Sequence, residues 1–587
     1  MKFDNHKQIS RRTAIIGIMF AGLFIMIGIR VIFLQTVQGP WLSKKAANQY
    51  EKSVIIRGKR GIIFDAAHRE MAVSIQATSL AAYPGRIKNK DEAARKLSNI
   101  LKIHFKNLRR KLETGRSFVW LKRQATPRQV QAVKALNLKG IGFIPEFNRF
   151  YPNKTLGAQV LGFSGIDGRG LEGLEFYYNA YLKGSERKIR VLTDALGRQF
   201  DTGQKDAQTN ATQTNANGLG GNNIILTIDG NIQYITETAL EEAAKEYNAE
   251  SGIAIVMAPA TGAILAMAHY PFFNPNAFNS FSRDRWRNRS ITDSFEPGST
   301  MKIFSAAAAL NSGICDPNTI FYCENGEYRI GRNIIHDTKP HGWLSVQQII
   351  KVSSNIGTVK VAEKVGGRSL YNLFKKFGFG NKTGVDCPGE STGSLSFYNN
   401  WSNIDKGAIS FGQGVSVSAL QLTSAAAAIA NDGILMKPYL VQAITDQNGR
   451  LIQNFSPQKI HQVISARTAR DLKRIMETVM TEGGTGVLAA LEGYTVCGKT
   501  GTAQKVSTHG GYSKDKYIAS FLGFAPAKQP EIVVLVMLDE PKKEHYGGIV
   551  AGPAFKKIAH QTLQYLNLAP LRQKKHQRVL AENEVSG

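Results

Sequence analysis

The chain has 587 residues, of which 43% are hydrophobic and 20% are charged, so it can build substantial cores and is not a disordered polymer. Its formal net charge of +29 favours a polyanionic neighbour: a nucleic acid, an anionic membrane surface or an acidic polymer of the cell envelope. Four cysteines without a C-x-x-C pair exclude zinc fingers and disulfide scaffolds, and the lack of a sequence repeat excludes solenoids and propellers.

The N-terminal segment is predicted to anchor the chain in a membrane. Residues 13–29 carry no charge, and apolar character resumes after Arg30, which gives the length that a helix needs to cross a bilayer. A cleaved signal peptide is the alternative, but the apolar run is long and no small-residue cleavage site follows it. Basic residues on both flanks give only weak support for a cytoplasmic N-terminus. We predict a cytoplasmic tail (1–12) and one anchor (13–37), with the rest of the chain outside the cytoplasm.

The segment after the anchor contains a short strand, a helical region and a linker. Residues 60–65 (RGIIFD) are typical of a strand closed by a turn, and residues 90–115 are basic with helical spacing. Residues 201–223 are polar and have no apolar period. This composition predicts a linker or an exposed loop, and we place a domain boundary there.

The second half of the chain has predicted strands at both ends and helices between them. Residues 224–229 favour a strand, residues 231–247 favour a helix, and the Ala-rich residues 299–431 are mostly helical in pattern. Apolar runs predict two strand pairs, 252–259 with 263–270 and 517–526 with 531–541. This arrangement predicts an α+β fold in which an antiparallel sheet carries a helical subdomain.

Ser299 and Lys302 form an S-x-x-K motif at the start of a helical segment. Residues i and i+3 share one face of a helix, so the hydroxyl and the amine can meet. A serine hydroxyl is a weak nucleophile until a base takes its proton, and a lysine removed from water can act as that base. Alone, the motif is common by chance, and an ordinary amphipathic helix with an exposed lysine would explain it.

Two further motifs follow in order along the chain. Ser353–Asn355 (SSN) would by itself indicate a polar helix cap or a loop. Lys499–Thr502 (KTGT), on a predicted strand, offers a cation, hydroxyls and a glycine that lets a substrate lie against the backbone. Three ordered motifs behind a membrane anchor are poorly explained by coincidence.

This set of motifs is the signature of the penicillin-binding proteins and serine β-lactamases. The wider sequence resembles the class B penicillin-binding proteins, in particular the division transpeptidase of the FtsI type. The supporting segments span nearly the whole chain: RGIIFD (60–65), GLEGLE (170–175), RNRSITDSFEPGSTMK (287–302), VSSNIG (352–357), FGQGVSVSALQLTSAAAAIANDG (411–433), CGKTGTAQK (497–505) and GGIVAGPAF (547–555). The polar stretch near 203–218 departs from the family pattern and resembles a variable linker insertion.

The resemblance implies an architecture for the whole chain. A single transmembrane helix precedes an elongated, mostly β/α pedestal of the class B dimerisation type, and a penicillin-binding transpeptidase domain follows. The expected segments are the tail (1–12), the anchor (13–37), the pedestal (38–200), the linker (201–223), the transpeptidase domain (224–568) and a solvated C-terminal tail (569–587).

The resemblance also implies a serine acyl-enzyme mechanism of the D-Ala-D-Ala transpeptidase type. Ser299 would attack the carbonyl between the two D-alanines of a peptidoglycan stem peptide, and Lys302 would accept its proton. The backbone N–H groups of Ser299 and Thr502 would hold the oxyanion. An amine from a neighbouring strand would then take over the acyl group and leave a cross-link.

The remaining motif residues have expected roles in proton transfer and substrate binding. Ser353 would relay a proton to the departing D-alanine, and Asn355 would orient the stem amide. The terminal carboxylate, or that of a β-lactam, would be received by Lys499, which also relays a proton, and by the neighbouring Thr500, Gly501 and Thr502. The resemblance implies no cofactor, and the histidines have no metal-ligand spacing.

One competing motif points to nucleotide binding. Residues 493–500 fit the phosphate-loop pattern G-x-x-x-x-G-K-[ST], and residues 532–540 resemble the apolar, acid-ended strand of such ATPases. A phosphate loop must lead directly into a helix, however, and the β-branched, glycine-broken segment after Thr500 has no helical period. We therefore predict that this segment does not bind nucleotide.

Several alternatives stay open within the family. The predicted role is septal cross-linking during cell division at the inner membrane, with an elongation-specific class B enzyme or a catalytically silent division scaffold as alternatives. The implied partners are stem peptides, β-lactams, an FtsW-type glycosyltransferase and other division proteins, without nucleic acid. Cys315 and Cys323 could form a disulfide outside the cytoplasm or stay as buried thiols.

Overall fold

The computed structural model describes residues 3–192, 219–507 and 511–570. Residues 201–218 of the predicted linker and residues 571–587 of the predicted C-terminal tail lie outside these ranges. The chain divides into two units, residues 1–59 with 184–220 and residues 60–183 with 221–587.

The first unit contains two helices, Phe3–Thr36 and Gly39–Tyr50, and an antiparallel pair of strands, Glu51–Arg57 with Glu186–Leu192. Within the first helix, Gln8–Thr36 is apolar and long enough to cross a membrane, and no residue of its most apolar stretch is buried. No other helix in the described ranges meets both criteria. The single apolar N-terminal helix predicted from the sequence is therefore present, and it is consistent with membrane anchoring.

The second unit is built around a five-stranded antiparallel sheet. In spatial order its strands are Cys497–Val506, Tyr512–Ala525, Ile532–Asp539, Ser251–Met257 and Ile264–Tyr270. Both predicted strand pairs are neighbours in this sheet. The strand Cys497–Val506 lies at one edge, so alternate N–H groups along it do not bond to the strand beside it.

Helices cover both faces of this sheet. Gly230–Glu246 and Gly552–Tyr565 form one core with Val534 and Val536, whereas Val533 and Leu535 belong to a second core on the opposite face. Successive side chains of a strand point to opposite faces, so a strand with two covered faces must be apolar at nearly every position. This explains the unbroken apolar run of residues 532–538.

The helical subdomain lies between the two strand pairs in the sequence. Its helices are Arg289–Thr292, Lys302–Asn311, Val346–Val352, Asn355–Val365, Gly367–Lys376, Asn403–Ser410, Ala419–Ala430 and Ala466–Thr478, and the short helix Gly547–Val550 follows the third strand of the sheet. The predicted α+β class is confirmed. The structure also contains three small antiparallel pairs of strands that the sequence pattern did not predict: Ile320–Tyr322 with Trp343–Ser345, Glu327–Ile330 with Asn333–His336, and Ile434–Met436 with Lys459–Gln462.

A second, seven-stranded sheet joins the predicted pedestal to the predicted transpeptidase domain. Its path is Leu451–Asn454, Val441–Thr445, Asn223–Leu226, Ile63–Phe64, Glu70–Ala82 and Val119–Ala125, and Ile141–Phe150 also pairs with Glu70–Ala82. The two regions meet where Ile63–Phe64 runs parallel to Asn223–Leu226. The helices of this region are Lys90–Leu101, Phe105–Glu113, Pro127–Ala135, Ala158–Leu161, Gly173–Tyr177 and Asn179–Leu182.

A buried charge cluster links the separate segments of the pedestal. Glu175, which is fully buried, accepts hydrogen bonds from Arg60 Nε at 2.5 Å, Arg149 Nε at 2.6 Å and the Tyr151 hydroxyl at 3.2 Å. Burial acts to raise the pKa of Glu175, but the guanidinium groups of Arg149 and Arg60 outweigh it and lower the pKa. The carboxylate therefore stays charged and holds RGIIFD and GLEGLE together.

We expect Glu175→Ala to destabilise the protein strongly, because it leaves two guanidinium groups buried without their carboxylate. Breaking a buried pair costs about 3–5 kcal/mol of unfolding free energy. Denaturant unfolding of the full chain in detergent measures the change. Glu113→Ala is the control: it removes an exposed partner of Arg109, and an ion pair in water contributes little to stability. Equal effects of the two substitutions would contradict the structural role of the cluster.

Candidate active site

Ser299 lies in a tight 3₁₀ turn, Gly298–Met301, that leads directly into the helix Lys302–Asn311. In a turn with three residues per repeat, positions i and i+3 eclipse, which puts Ser299 and Lys302 on one side of the backbone. Gly298 has φ +54°, and its N–H donates to Gly412 O at 3.1 Å. A Cβ on Gly298 would lie 3.1 Å from Ala503 Cβ, so the turn packs closely against the edge strand.

Lys302 is completely buried, and its amine is held by three hydrogen bonds. Nζ donates to Ser353 O at 2.6 Å, to Ser353 Oγ at 3.2 Å and to Asn355 Oδ1 at 2.7 Å. Burial lowers the pKa of Lys302 to about 7, although the Asp337 carboxylate acts in the opposite direction. A large fraction of this amine is therefore neutral near pH 7; the neutral form donates to two of the three acceptors at a time, and its lone pair can accept a proton.

Ser353 lies between the helices Val346–Val352 and Asn355–Val365, in the left-handed conformation with φ +62°. Its hydroxyl accepts from Lys302 Nζ and also from Lys499 Nζ at 2.8 Å. A hydroxyl has two acceptor positions and one donor. Because both acceptor positions face lysine amines, the hydroxyl proton of Ser353 is left to donate elsewhere.

The residues Lys499–Thr502 lie on the edge strand Cys497–Val506. Lys499 is completely buried; burial, and after it the nearby Lys302, lower its pKa well below the usual value. Thr500 Oγ1 donates to Thr485 Oγ1 at 3.0 Å, and Thr502 Oγ1 accepts from Gly547 N at 3.1 Å.

Gly501 is the point of closest approach between the edge strand and the serine turn. A Cβ there would overlap Ser520 Oγ and lie 2.9 Å from Thr300 Cγ2. A side chain at Gly501 would thus push the strand away from the turn that carries Ser299.

The structure thus brings the three sequence motifs together. Lys302, Ser353, Asn355 and Lys499 are joined by direct hydrogen bonds, and the turn that contains Ser299 packs on the strand that contains Lys499.

The comparisons with known proteins agree with this arrangement. Residues 252–560 match the penicillin binding protein transpeptidase domain, and residues 55–215 match the penicillin-binding protein dimerisation domain. The chain belongs to the class B penicillin-binding proteins, which are serine-type peptidoglycan D,D-transpeptidases.

Relatives of this class B chain match almost its whole length. It is 36% identical over 562 residues to the "Probable peptidoglycan D,D-transpeptidase PenA" of Neisseria meningitidis serogroup A, covering 95% of this chain and 92% of PenA. It is 32% identical over 573 residues to the peptidoglycan D,D-transpeptidase FtsI of Escherichia coli K12, covering 96% and 93%. Stage V sporulation protein D of Bacillus subtilis is also 32% identical, over 94% of this chain and 86% of that protein. Sequence identity therefore identifies the family but does not separate cellular roles.

A solved structure shares the fold of this class B chain. The crystal structure of penicillin binding protein 3 from Mycobacterium tuberculosis, complexed with aztreonam, superposes with a TM-score of 0.68 at 27% identity. The match covers 88% of this chain and 98% of that one.

The phosphate-loop pattern of residues 493–500 does not form a phosphate loop. Lys499 and Thr500 lie inside the strand Cys497–Val506, with no helix directly after them, and the Lys499 amine points to Ser353. Asp539, at the end of the apolar strand, pairs with Arg289 and Lys505. The segment therefore lacks the loop-and-helix geometry on which a phosphate loop depends.

All four cysteines are free thiols in the structure, so Cys315 and Cys323 are not bridged. Cys323 instead receives a weak hydrogen bond from Ser354 Oγ at 3.8 Å. Cys497 is buried beside the lysine strand, and burial raises the pKa of its thiol, so it is a small core residue.

Three residues around the site were not found by sequence reasoning. The Asp337 carboxylate accepts from Ser354 Oγ, Glu296 Oε1 accepts from Gly414 N at 2.8 Å, and Thr485 contacts Thr500. Each of them lies in a different segment from its partner, so no local spacing could indicate the contact. The only sequence signal was that Glu296 lies inside the segment FEPGSTMK.

Proposed function

We propose that this class B enzyme cross-links septal peptidoglycan during cell division through an acyl-enzyme on Ser299. The observation that carries the catalytic part is the buried Lys302 amine, with a pKa of about 7, one 3₁₀ turn after Ser299. Among the described residues, the completely buried lysines are Lys302 and Lys499, and both amines bond to the Ser353 hydroxyl.

In the acylation step, Ser299 Oγ attacks the carbonyl between the two D-alanines of a stem peptide. Lys302 Nζ takes the hydroxyl proton as the new C–O bond forms. The strand Cys497–Val506 lies at the edge of the sheet, so alternate backbone N–H groups along it do not bond to a neighbouring strand. This supports the N–H groups of Thr502 and Ser299 as the donors to the oxyanion.

The second half of the step breaks the C–N bond and releases D-alanine. The leaving amine needs a proton, and the Ser353 hydroxyl supplies it while recovering one from a lysine amine. Asn355 would hold the stem amide through the Nδ2 hydrogen that does not bond to His336 O. An amine of a neighbouring stem peptide then attacks the ester, and Ser299 recovers its proton.

The hydroxyls of Thr500 and Thr502 flank the strand position where a substrate carboxylate would bind. Gly501 between them lets the strand pack against Thr300, so these hydroxyls lie next to the turn that carries Ser299. Lys499 supplies positive charge nearby, although its amine is engaged with Ser353. A β-lactam supplies an anionic group beside a strained amide, and the aztreonam complex of the Mycobacterium tuberculosis structure supports β-lactams as ligands of this site.

The septal assignment rests on similarity over nearly the whole length to FtsI and on the single apolar helix at the N-terminus. We place the N-terminus in the cytoplasm and the catalytic domain outside it. An FtsW-type glycosyltransferase and other division proteins would be its partners. The elongation-specific enzyme and the silent scaffold are the alternatives that the cellular experiment below distinguishes.

We expect Ser299→Ala to abolish covalent labelling by benzylpenicillin. The substitution removes the nucleophile, so intact-mass measurement of the full chain in detergent should show one adduct for the wild type and none for the variant. Ser312→Ala, at the end of the same helix, is the matched control and should keep the adduct, because that hydroxyl bonds only to helix carbonyls. An adduct on Ser299→Ala would disprove the assignment of the nucleophile.

We expect the acylation rate to rise with pH through about 7 and then to level off, because only the neutral Lys302 amine accepts the serine proton. Lys302→Arg keeps the charge but cannot lose its proton, so it should lower the rate by about 10²–10⁴-fold at every pH. Stopped-flow labelling with a fluorescent penicillin between pH 5 and 9 measures both effects. A profile that falls with pH, or an active arginine variant, would exclude Lys302 as the base.

We expect cells depleted of the chain to stop dividing and grow into filaments, and a fluorescent fusion to collect at the septum. Ser299→Ala should reach the septum without restoring division, which microscopy of complemented cells would show. Rounded or widened cells that still divide would favour the elongation-specific enzyme. Full rescue by Ser299→Ala would favour the scaffold.

A further inference from the structure

We propose that Asp337 is a positioning residue for this reaction: it fixes the Ser353–Asn355 segment against Lys302 and provides the negative charge that faces the buried amine. The inference rests on the proposed function, since it concerns the residue that acts as the base. Asp337 belongs to none of the three motifs, and it lies in a different segment of the chain from each of them.

Asp337 directly follows the strand Asn333–His336, and its own N–H donates to Gly326 O at 3.1 Å. Its carboxylate lies at the N-terminus of the helix Asn355–Val365. There Oδ1 accepts from Asn355 N at 2.5 Å and from Ile356 N at 3.1 Å, and Oδ2 accepts from Ser354 Oγ at 2.6 Å. A carboxylate is well suited to this place because the first N–H groups of a helix lack internal partners and carry partial positive charge.

The same contacts determine where Asn355 lies. Asp337 holds the backbone N–H of Asn355, while the carbonyl of the preceding residue, His336, accepts from Asn355 Nδ2 at 2.8 Å. The other side-chain atom, Oδ1, is thereby directed to Lys302 Nζ at 2.7 Å. His336 and Asp337 thus fix the side chain and the backbone of Asn355, and Asn355 in turn orients the Lys302 amine.

The charge of Asp337 is the second part of the argument. Among the described residues, Asp337 is the charged group that acts on the pKa of Lys302, and the second buried amine, Lys499, shares the Ser353 hydroxyl with Lys302. Burial lowers the pKa of Lys302, and the Asp337 carboxylate raises it by favouring the charged amine. Loss of this carboxylate should therefore lower the pKa of Lys302, so that the amine becomes neutral at a lower pH.

These two effects predict a specific result for Asp337→Asn. The midpoint of the acylation profile should move to lower pH by about one unit, the shift typical of a nearby opposite charge. The plateau rate should fall about tenfold or more, because a small displacement of a catalytic group costs up to about 10²-fold. A residue that only stabilised the helix would lower the rate or the stability without moving the midpoint.

The matched control is Asp229→Asn. Asp229 is the N-cap of the helix Gly230–Glu246 and accepts from Asn231 N at 2.7 Å and from Ile232 N at 3.2 Å, but it is not among the charges that act on Lys302. Asp229→Asn removes a carboxylate from a helix N-terminus, as Asp337→Asn does, and should keep the wild-type midpoint.

The experiment measures fluorescent-penicillin labelling of the full chain in detergent from pH 5 to 9, with thermal unfolding of each variant. If Asp337→Asn does not fold, Asp337→Ser replaces it, because serine is small and uncharged and Ser354 remains the N-cap of the helix; the same downward shift is expected. A folded Asp337 variant with the wild-type midpoint would overturn this inference alone. A wild-type profile without a rise near pH 7 would overturn both this inference and Lys302 as the base.

Discussion

The active site depends on one constraint: two lysine amines are buried completely and share the hydroxyl of Ser353. An amine removed from water is destabilised in its charged form, so burial itself produces the neutral base that serine acylation needs. The shared hydroxyl must lie between the two amines. This requirement brings together three segments that are far apart in the chain: the serine turn, the SSN loop and the lysine strand.

The backbone around the site is shaped by the same requirement. Ser353 adopts a left-handed conformation that non-glycine residues seldom use, and such conformations cost of order 1–3 kcal/mol. The strain is maintained because helices begin and end on either side of Ser353 and because the Lys302 amine bonds to both its carbonyl and its hydroxyl. Gly298 and Gly501 remove the two side chains that would separate the serine turn from the edge strand.

The elements that the sequence predicted correctly are those whose hydrophobic pattern lies within one short segment. The two strand pairs, the helix after residue 230 and the α+β class follow from apolar periodicity, and the structure contains them. The spacing of Ser299 and Lys302 predicted a shared helix face; the structure has a 3₁₀ turn there, in which residues three apart also lie on one side. The hairpin Glu327–His336 and the contacts of Asp337 and Glu296 could not be predicted in this way, since they depend on tertiary contacts between segments that no sequence period relates.

There is also a physical reason why sequence similarity identifies the reaction but not the cellular role. Lys302 and Lys499 are completely buried and share one hydroxyl, so few substitutions would preserve the proposed base and relay. The cellular role would instead depend on exposed surfaces and on the N-terminal apolar helix, where many sequences satisfy the same physical demands. Identity of 32–36% over nearly the whole chain therefore identifies the D,D-transpeptidase family, whereas septal placement must be measured in cells.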